Sequence, residues 1–270
     1  MKRKKIIKNY IPKEFLKGFS TKNDFITWLK SALKDEIKKY IREYLVERKV
    51  EKNLVYSLGQ VELRSLGLPG INYFNNLFDG DYYKECEKLG FINKYEKFIQ
   101  WGDRIKLDKR RIINIDTREQ KLLQFNNVKT NIQKLGYGDY SFSNSEWVGK
   151  VVIERKGLSD LIGTLFGGYE RFEREIGRAK NDGAYLIILV EANLGKALNY
   201  RENKLVNCKV RIPPQVIFHQ LRKLTQKYNH IQFLFVDSHE DAGKMVENLF
   251  SLGGDIKKYD LQYLLDKGEI

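Results

Sequence analysis

Glu154 and Lys156 stand two residues apart at the end of an apolar run, Val151-Val152-Ile153, with Arg155 between them and Gly157, Leu158, Ser159 and Asp160 following. Alternate residues of a strand share a face, so Glu154 and Lys156 project one way and Arg155 the other. A carboxylate beside an ammonium at a strand end suits metal-dependent hydrolysis of a phosphodiester. The carboxylate holds the cation, and the lysine orients or activates water and offsets charge at the phosphate. Taken alone, the decapeptide is explained equally well as a solvent-exposed charged strand end. The wider chain adds acids in comparable places: Asp116 and Glu119 after a buried strand, Asp139 after Gly136-Tyr137-Gly138, and Asp160 near the start of a helix. Neighbouring strands would bring Asp116, Asp139 and Glu154 into one site as metal ligands. Oxygen donors without a histidine or cysteine cluster favour Mg²⁺, with Mn²⁺ able to substitute, over zinc.

The elements that must position these residues follow from the patterning beyond Arg111, where strand and helix alternate as in an α/β domain. Ile112–Ile115 reads as a buried strand ending at Asp116. A helix or loop then leads to the glycine turn before Asp139, and Trp147–Lys156 reads as the next strand. Leu158–Lys180 is helical, with Leu158, Leu161, Ile162, Leu165, Phe172 and Ile176 on one face and an interruption at Gly167-Gly168. Tyr185–Val190 is a core strand ending at Glu191. Pro213-Pro214 opens a helix through Tyr228, Ile231–Val236 is a strand, and Ser238–Leu252 is expected to be the last helix. Asn193–Ile212 has no clear period and reads as a mobile insertion near the strand ends.

Residues 1–108 have a different texture, mainly α-helical, and the boundary is placed at the basic cluster Lys106–Arg111 with residues 109–270 as the second domain. From Asn23 to Arg48, Phe25, Trp28, Leu29, Leu33, Ile37, Ile41, Tyr44 and Leu45 recur at three- and four-residue steps, which predicts one amphipathic helix. Lys30, Lys34, Lys38 and Arg42 form a basic stripe on it, suited to a run of phosphates or simply to water. Short helical patterns follow, punctuated by Gly67, Gly70, Gly80 and Gly90.

The 270 residues carry 49 Lys+Arg against 35 Asp+Glu, a net charge of +14, and the surplus is spread over both parts. Such a balance points to a polyanionic partner, nucleic acid before an anionic membrane surface. Cys86 and Cys208 lie far apart without a CxxC, which excludes a disulfide framework and a structural zinc site and suits a reducing cytoplasm. The basic start lacks the apolar stretch of a signal peptide, and no run approaches the ~20 apolar residues of a membrane span. The expectation is a cytoplasmic protein of bacterial or phage origin, with DNA as partner and no membrane.

Ile113-Asn-Ile-Asp116-Thr-Arg118-Glu119, Gly138-Asp139-Tyr and Glu154-Arg-Lys156-Gly-Leu-Ser-Asp160-Leu-Ile together resemble the ERCC-type nuclease domain of the XPF family, whose motif reads GD…ERKxxxD after a DxRE segment. The resemblance extends through Gly168-Tyr-x-Arg171-Phe and Tyr185–Glu191, over roughly residues 111–250. It implies a restriction-endonuclease-like α/β catalytic core in which Asp139 and Glu154 hold metal, Lys156 acts on water or phosphate, and Asp116 and Asp160 complete or brace the site. Arg118, Glu119 and Arg155 are then supporting or DNA-contacting residues. The tandem helix-hairpin-helix module common after such nucleases has no room beyond Gly254, so a preference for branched DNA is not inherited with the motif. Within the first part, Leu68-Pro-Gly-x-x-Tyr73-Phe-x-x-x-Phe78 and Asp81-Tyr-Tyr-x-x-Cys86-x-x-Leu-Gly-Phe91 resemble the short helical repeat found beside homing-endonuclease domains, with tyrosine at 82 and 83 where tryptophan is usual.

These readings converge on a Mg²⁺-dependent DNA endonuclease, free-standing and of homing or nicking type, directed by its N-terminal domain. A homodimer through the nuclease domain would cut both strands; a monomer would nick. A flap- or junction-specific repair nuclease and a restriction-type enzyme are the alternatives within the class. A DNA-binding protein with a vestigial nuclease fold is the alternative outside it. Arg171, Arg174 and Arg178 share a helix flank and either touch phosphates or pair with Glu170, Glu173 and Glu175. His219, His230 and His239 are scattered and read as surface or helix residues rather than metal ligands; Trp28, Trp101 and Trp147 read as core.

Overall fold

A computed structural model of the chain describes residues 22–95, 112–143, 151–206 and 212–270. The basic start, the cluster Lys106–Arg111 with the 108/109 boundary, Trp101, Trp147, Cys208 and the side chains of Phe25, Leu29 and Lys30 lie outside that description. The chain divides into two compact units, Met1–Lys97 and Phe98–Ile270.

The first unit is helical: α1 (Lys22–Ser31), α2 (Lys34–Glu51), α3 (Gln60–Ser65), α4 (Ile71–Leu77) and α5 (Tyr82–Lys88). The single helix expected over 23–48 is two. The Ser31 hydroxyl donates back to the carbonyls of Thr27 and Trp28, and the Leu33 backbone turns extended to cap α2, its N–H donating to the Glu36 carboxylate at 2.8 Å. Leu33 is consequently 71% exposed, although the period assigns it to the apolar face. Ile41, Tyr44 and Leu45 are buried as expected. The basic stripe is engaged within the unit: Lys34 and Lys38 pair with Asp79, and Arg42 with Glu85. Phe74, Phe78, Tyr82, Tyr83 and Phe91, from the stretch expected to be a homing-type repeat, are core, whereas Tyr73 is half-buried; Phe74 packs on Tyr82 and the Tyr82 hydroxyl donates to the Leu58 carbonyl. Gly67, Gly80 and Gly90 all have positive φ, consistent with the punctuation read from the sequence.

The second unit is built on a six-stranded sheet of β1 (Ile112–Asp116), β2 (Lys129–Gln133), β3 (Tyr140–Ser143), β4 (Val151–Gly157), β5 (Tyr185–Glu191) and β6 (Ile231–Val236), in the order β2-β1-β3-β4-β5-β6. β3 is antiparallel to both neighbours, and the other pairs are parallel. Between β4 and β5 the chain crosses over through α6 (Leu158–Phe166) and α7 (Tyr169–Asn181). After β5 come the short α8 (Leu194–Ala197) and then α9 (Pro214–Lys227), which leads to β6. α10 (His239–Leu252), a 3-10 turn (Gly253–Lys258) and α11 (Leu261–Lys267) follow. β5 and β6 are apolar and buried almost throughout, as parallel strands covered by helices must be.

Several elements differ from expectation. β2 is an edge strand with all five residues exposed, so Lys129-Thr-Asn-Ile-Gln133 carries no alternation to betray it. β3 is four residues long. α11 is a further helix beyond the expected last one; Gln262 anchors it by accepting from the Phe235 N–H at 2.8 Å. The segment read as a mobile insertion begins with α8, which buries Leu194 and Ala197 beside a buried Tyr200.

Candidate active site

The β3–β4 register brings the principal acids together. Tyr140 pairs with Ile153 and Ser141 with Val152, so the next step of the register sets Asp139 opposite Glu154. The backbone continues that ladder, with the Asp139 N–H donating to the Ile153 carbonyl and the Asp116 N–H donating to the Asp139 carbonyl, both at 2.8 Å. Asp116, Asp139 and Glu154 thus form one rank across β1, β3 and β4. Gly138 makes the approach possible. Its φ is +69°, and a Cβ there would stand 2.2 Å from the Val152 side chain and 3.1 Å from the Ile153 carbonyl oxygen. At Gly136, the other glycine of the expected turn, φ is not positive and a Cβ would meet nothing within 4 Å, so the turn depends on Gly138.

Glu154 and Lys156 project to the same face, as the strand period requires, and Lys156 Nζ donates to Glu154 Oε1 at 2.6 Å. The lysine ammonium also lies over the Phe172 ring, 5.4 Å from its centroid, a contact from the α7 side. Asp139 accepts the Arg155 N–H at 2.7 Å. Burial pushes the Asp139 carboxyl up to about 6, with the charge of Glu119 adding, against the Arg155 N–H and Lys156. Burial, then the charge of Asp139, pushes Glu154 up to about 7 despite Lys156. Two carboxylates withdrawn from water and repelling one another are short of positive charge, a need one ammonium does not meet. A divalent cation fits this donor set: hard oxygen ligands, side by side, destabilised as anions without it. Asp139 and Glu154 are the residues that would hold it.

Asp116, the third expected ligand, belongs to the same rank but has its oxygens engaged elsewhere. Oδ1 accepts from the Arg118 backbone N–H at 2.8 Å and from its Nε at 2.6 Å; Oδ2 accepts from Arg118 Nη2 at 3.1 Å and from the Leu135 N–H at 2.6 Å. Burial opposes ionisation there, but Arg118 and these backbone donors outweigh it and hold the carboxyl below its ordinary range. The residue braces the chain between β1 and the turn before Asp139. Among the described residues no group of three or more His, Cys, Asp or Glu side chains is arranged to hold a metal.

Arg155 points to the opposite side from Glu154, as alternation demands. Its guanidinium forks onto Glu119 at 2.7 and 3.1 Å and reaches Glu191 at 3.1 Å. Burial opposes the charge on both Arg155 and Glu119, yet their pairing prevails, raising the arginine and lowering the carboxyl. His239 Nδ1 meets the same Glu191 oxygen at 2.5 Å. This cluster ties the end of β1 to β4, β5 and α10, so Arg155 and Glu119 support the site from behind. Asp160 is exposed in the first turn of α6, where its carboxylate stands over the Gly157 backbone. Arg171 is exposed on α7, and among the described residues no ion pair engages it.

One residue of the site went unrecognised in the sequence. Glu175 of α7 accepts the Gly138 N–H at 3.1 Å, and its charge acts on Glu154 and Arg118. Helical spacing gave Glu175 an arginine partner as readily as a place at the site. On that helix, Glu170 lies 3.9 Å from Arg174, and Glu173 bonds Lys227 and Tyr228.

The profile of the ERCC4 domain family matches residues 108–249, more than half of the chain. The chain belongs to the ERCC4 domain family. Its second unit is an XPF/ERCC4-type nuclease domain with a restriction-endonuclease-like core, and the first is helical, as the sequence implied. Similar solved structures include XPF from Aeropyrum pernix, at 20% identity and a TM-score of 0.41, covering 53% of this chain and 61% of that one. Another is the same protein in complex with DNA, at 18% identity and 0.37, covering 52% and 63%. The chain therefore spans about three fifths of the length of those proteins. No curated protein matches it. ERCC4 nucleases are generally dependent on a divalent metal. Among the described residues no helix is long and apolar enough to cross a membrane.

Proposed function

We propose that the protein is a DNA endonuclease that hydrolyses phosphodiester bonds with Mg²⁺ held by Asp139 and Glu154. The observation that carries this reading is the buried Asp139–Glu154 pair with Lys156 on the same face, within a domain of the ERCC4 family. A bound Mg²⁺ would supply Lewis acidity at the phosphoryl oxygen and acidify water. Lys156 holds its ammonium beside Glu154, where it orients water or offsets charge on the phosphate. Asp116, through Arg118 and the Leu135 N–H, and Arg155, through its own N–H, keep Asp139 in register with Glu154. Asp160 braces the same strand end from α6. Arg171 on the exposed flank of α7, one turn before Glu175, contacts phosphate, and the net charge of +14 supports a polyanionic substrate.

The first unit selects the cutting site, and the enzyme is free-standing, of homing or nicking type. Its DNA contacts come from the surface of that unit rather than from the residues of the repeat, since Phe74, Phe78, Tyr82, Tyr83 and Cys86 are core. Cleavage of flaps or junctions is the second reading, favoured by membership of the ERCC4 family. Incubation of the full chain and Mg²⁺ with plasmid, linear duplex, flap and single-stranded DNA, with product ends mapped, tests both. Nicks or cuts at fixed duplex positions are expected; products confined to flaps and junctions would replace the first reading by the second, and no products on any DNA would refute the nuclease.

A further inference from the structure

We propose that Glu175 is a third carboxylate of this site, a positioning residue that strengthens cation binding by Asp139 and Glu154 without ligating the ion. The inference rests on the metal-site reading above. Three observations carry it. Glu175 accepts the Gly138 N–H at 3.1 Å, so it fixes the residue immediately before Asp139 at a turn where a Cβ would clash. Its charge reaches Glu154 and Arg118. Among the described residues no cation pairs with it: Arg118 is hydrogen-bonded to Asp116 and Lys156 to Glu154.

The position on α7 explains how one helix can serve two purposes. Phe172, Ile176 and Ala179 form its buried stripe. Glu175 lies on the edge of that stripe, three residues on from Phe172, and Arg171 lies one turn earlier on the same edge. The buried stripe therefore sets the height and rotation of Glu175 against the β3–β4 turn. Asp139, Glu154 and Glu175 bring three carboxylates to a place where Lys156 pairs with Glu154, while Arg118 and Arg155, whose charges also act there, are bonded to Asp116 and to Glu119 and Glu191; this surplus of carboxylates favours a divalent ion. They do not form a three-ligand cluster, so Glu175 acts through the Gly138 N–H and through its charge.

Binding of Mn²⁺ to the full-length protein, followed by loss of the free-ion EPR signal, separates these contributions. Glu175→Gln keeps an oxygen acceptor for Gly138 and removes the charge; it should keep its cation-free Tm and weaken Mn²⁺ binding by about 10-fold. Glu175→Ala removes both and should bind more weakly still, and if it fails to fold, the glutamine variant alone decides. The Mg²⁺ concentration for half-maximal cleavage should rise in parallel. Wild-type affinity in Glu175→Gln would overturn the proposal while leaving the Asp139–Glu154 site intact. A lower Tm in Glu175→Gln with unchanged cation dependence would likewise overturn it, making the residue merely structural. No Mn²⁺ binding by the wild-type protein would overturn this proposal and the metal site together.

Discussion

Asp139 and Asp116 stand on one rank of the sheet and have opposite electrostatics. The Asp116 carboxylate receives a guanidinium and two backbone N–H groups, whereas Asp139 receives one backbone N–H and faces Glu154. The difference has a pH signature. In the folded, cation-free protein Asp139 and Glu154 keep protons up to about pH 6 and 7, while in the unfolded chain carboxyls release them near ~4. Between those limits the folded state binds more protons, so the contribution of this pair to stability falls as pH rises. Asp116 and Glu119 have the reverse sign, contributing stability present above ~4 and lost as pH falls through their depressed values, below this window. Cation-free wild-type protein should therefore lose Tm relative to Asp139→Asn between pH 5 and 8, and Mg²⁺ should restore it at pH 8. A difference between the two proteins that is constant across that range would contradict the account. At this scale the Glu154–Lys156 pair was legible because a strand's period is two. The engagement of Asp116 with Arg118 was not, since the same two residues could equally face substrate, and Glu175 was hidden by the ordinary charge alternation of a helix.

At the scale of elements, the site depends on a four-residue strand and the turn before it. β3 holds Asp139 against Glu154, and Gly138 is the point at which no side chain fits. Gly138→Ala combines a positive φ with a Cβ placed 2.2 Å from Val152, and should cost at least about 2 kcal/mol by urea denaturation. A loss below about 0.5 kcal/mol would show that the turn can be rebuilt around a methyl group. Strands β4, β5 and β6 could be read from their continuous apolar runs. β2 and β3 could not: one is fully exposed and the other too short to show a period. The N-terminal helix was read as continuous because its hydrophobic spacing runs through Ser31 and Leu33, while the break arises from a serine hydroxyl bonding backward and a cap formed by Glu36.

At the scale of the whole chain, a nuclease domain with the ERCC4 motifs is joined to a helical unit, and both carry basic surplus. The charge legible in the sequence did not translate directly into a DNA-binding face. Lys34, Lys38 and Arg42, the most regular basic stripe, pair with Asp79 and Glu85 across the fold of their own unit. Long-range pairing of this kind is invisible to spacing along one helix. Binding and catalysis should accordingly be separable, because the acids proposed to hold the cation are distinct from the basic residues proposed to meet phosphate. The central claim is tested most directly by measuring, on one duplex substrate, DNA affinity and Mg²⁺-dependent cleavage for wild type, Asp139→Asn and Glu154→Gln. The expected result is affinity within about threefold of wild type and a cleavage rate reduced by at least about 100-fold in each variant; cleavage by either variant at the wild-type rate would contradict the assignment of the site.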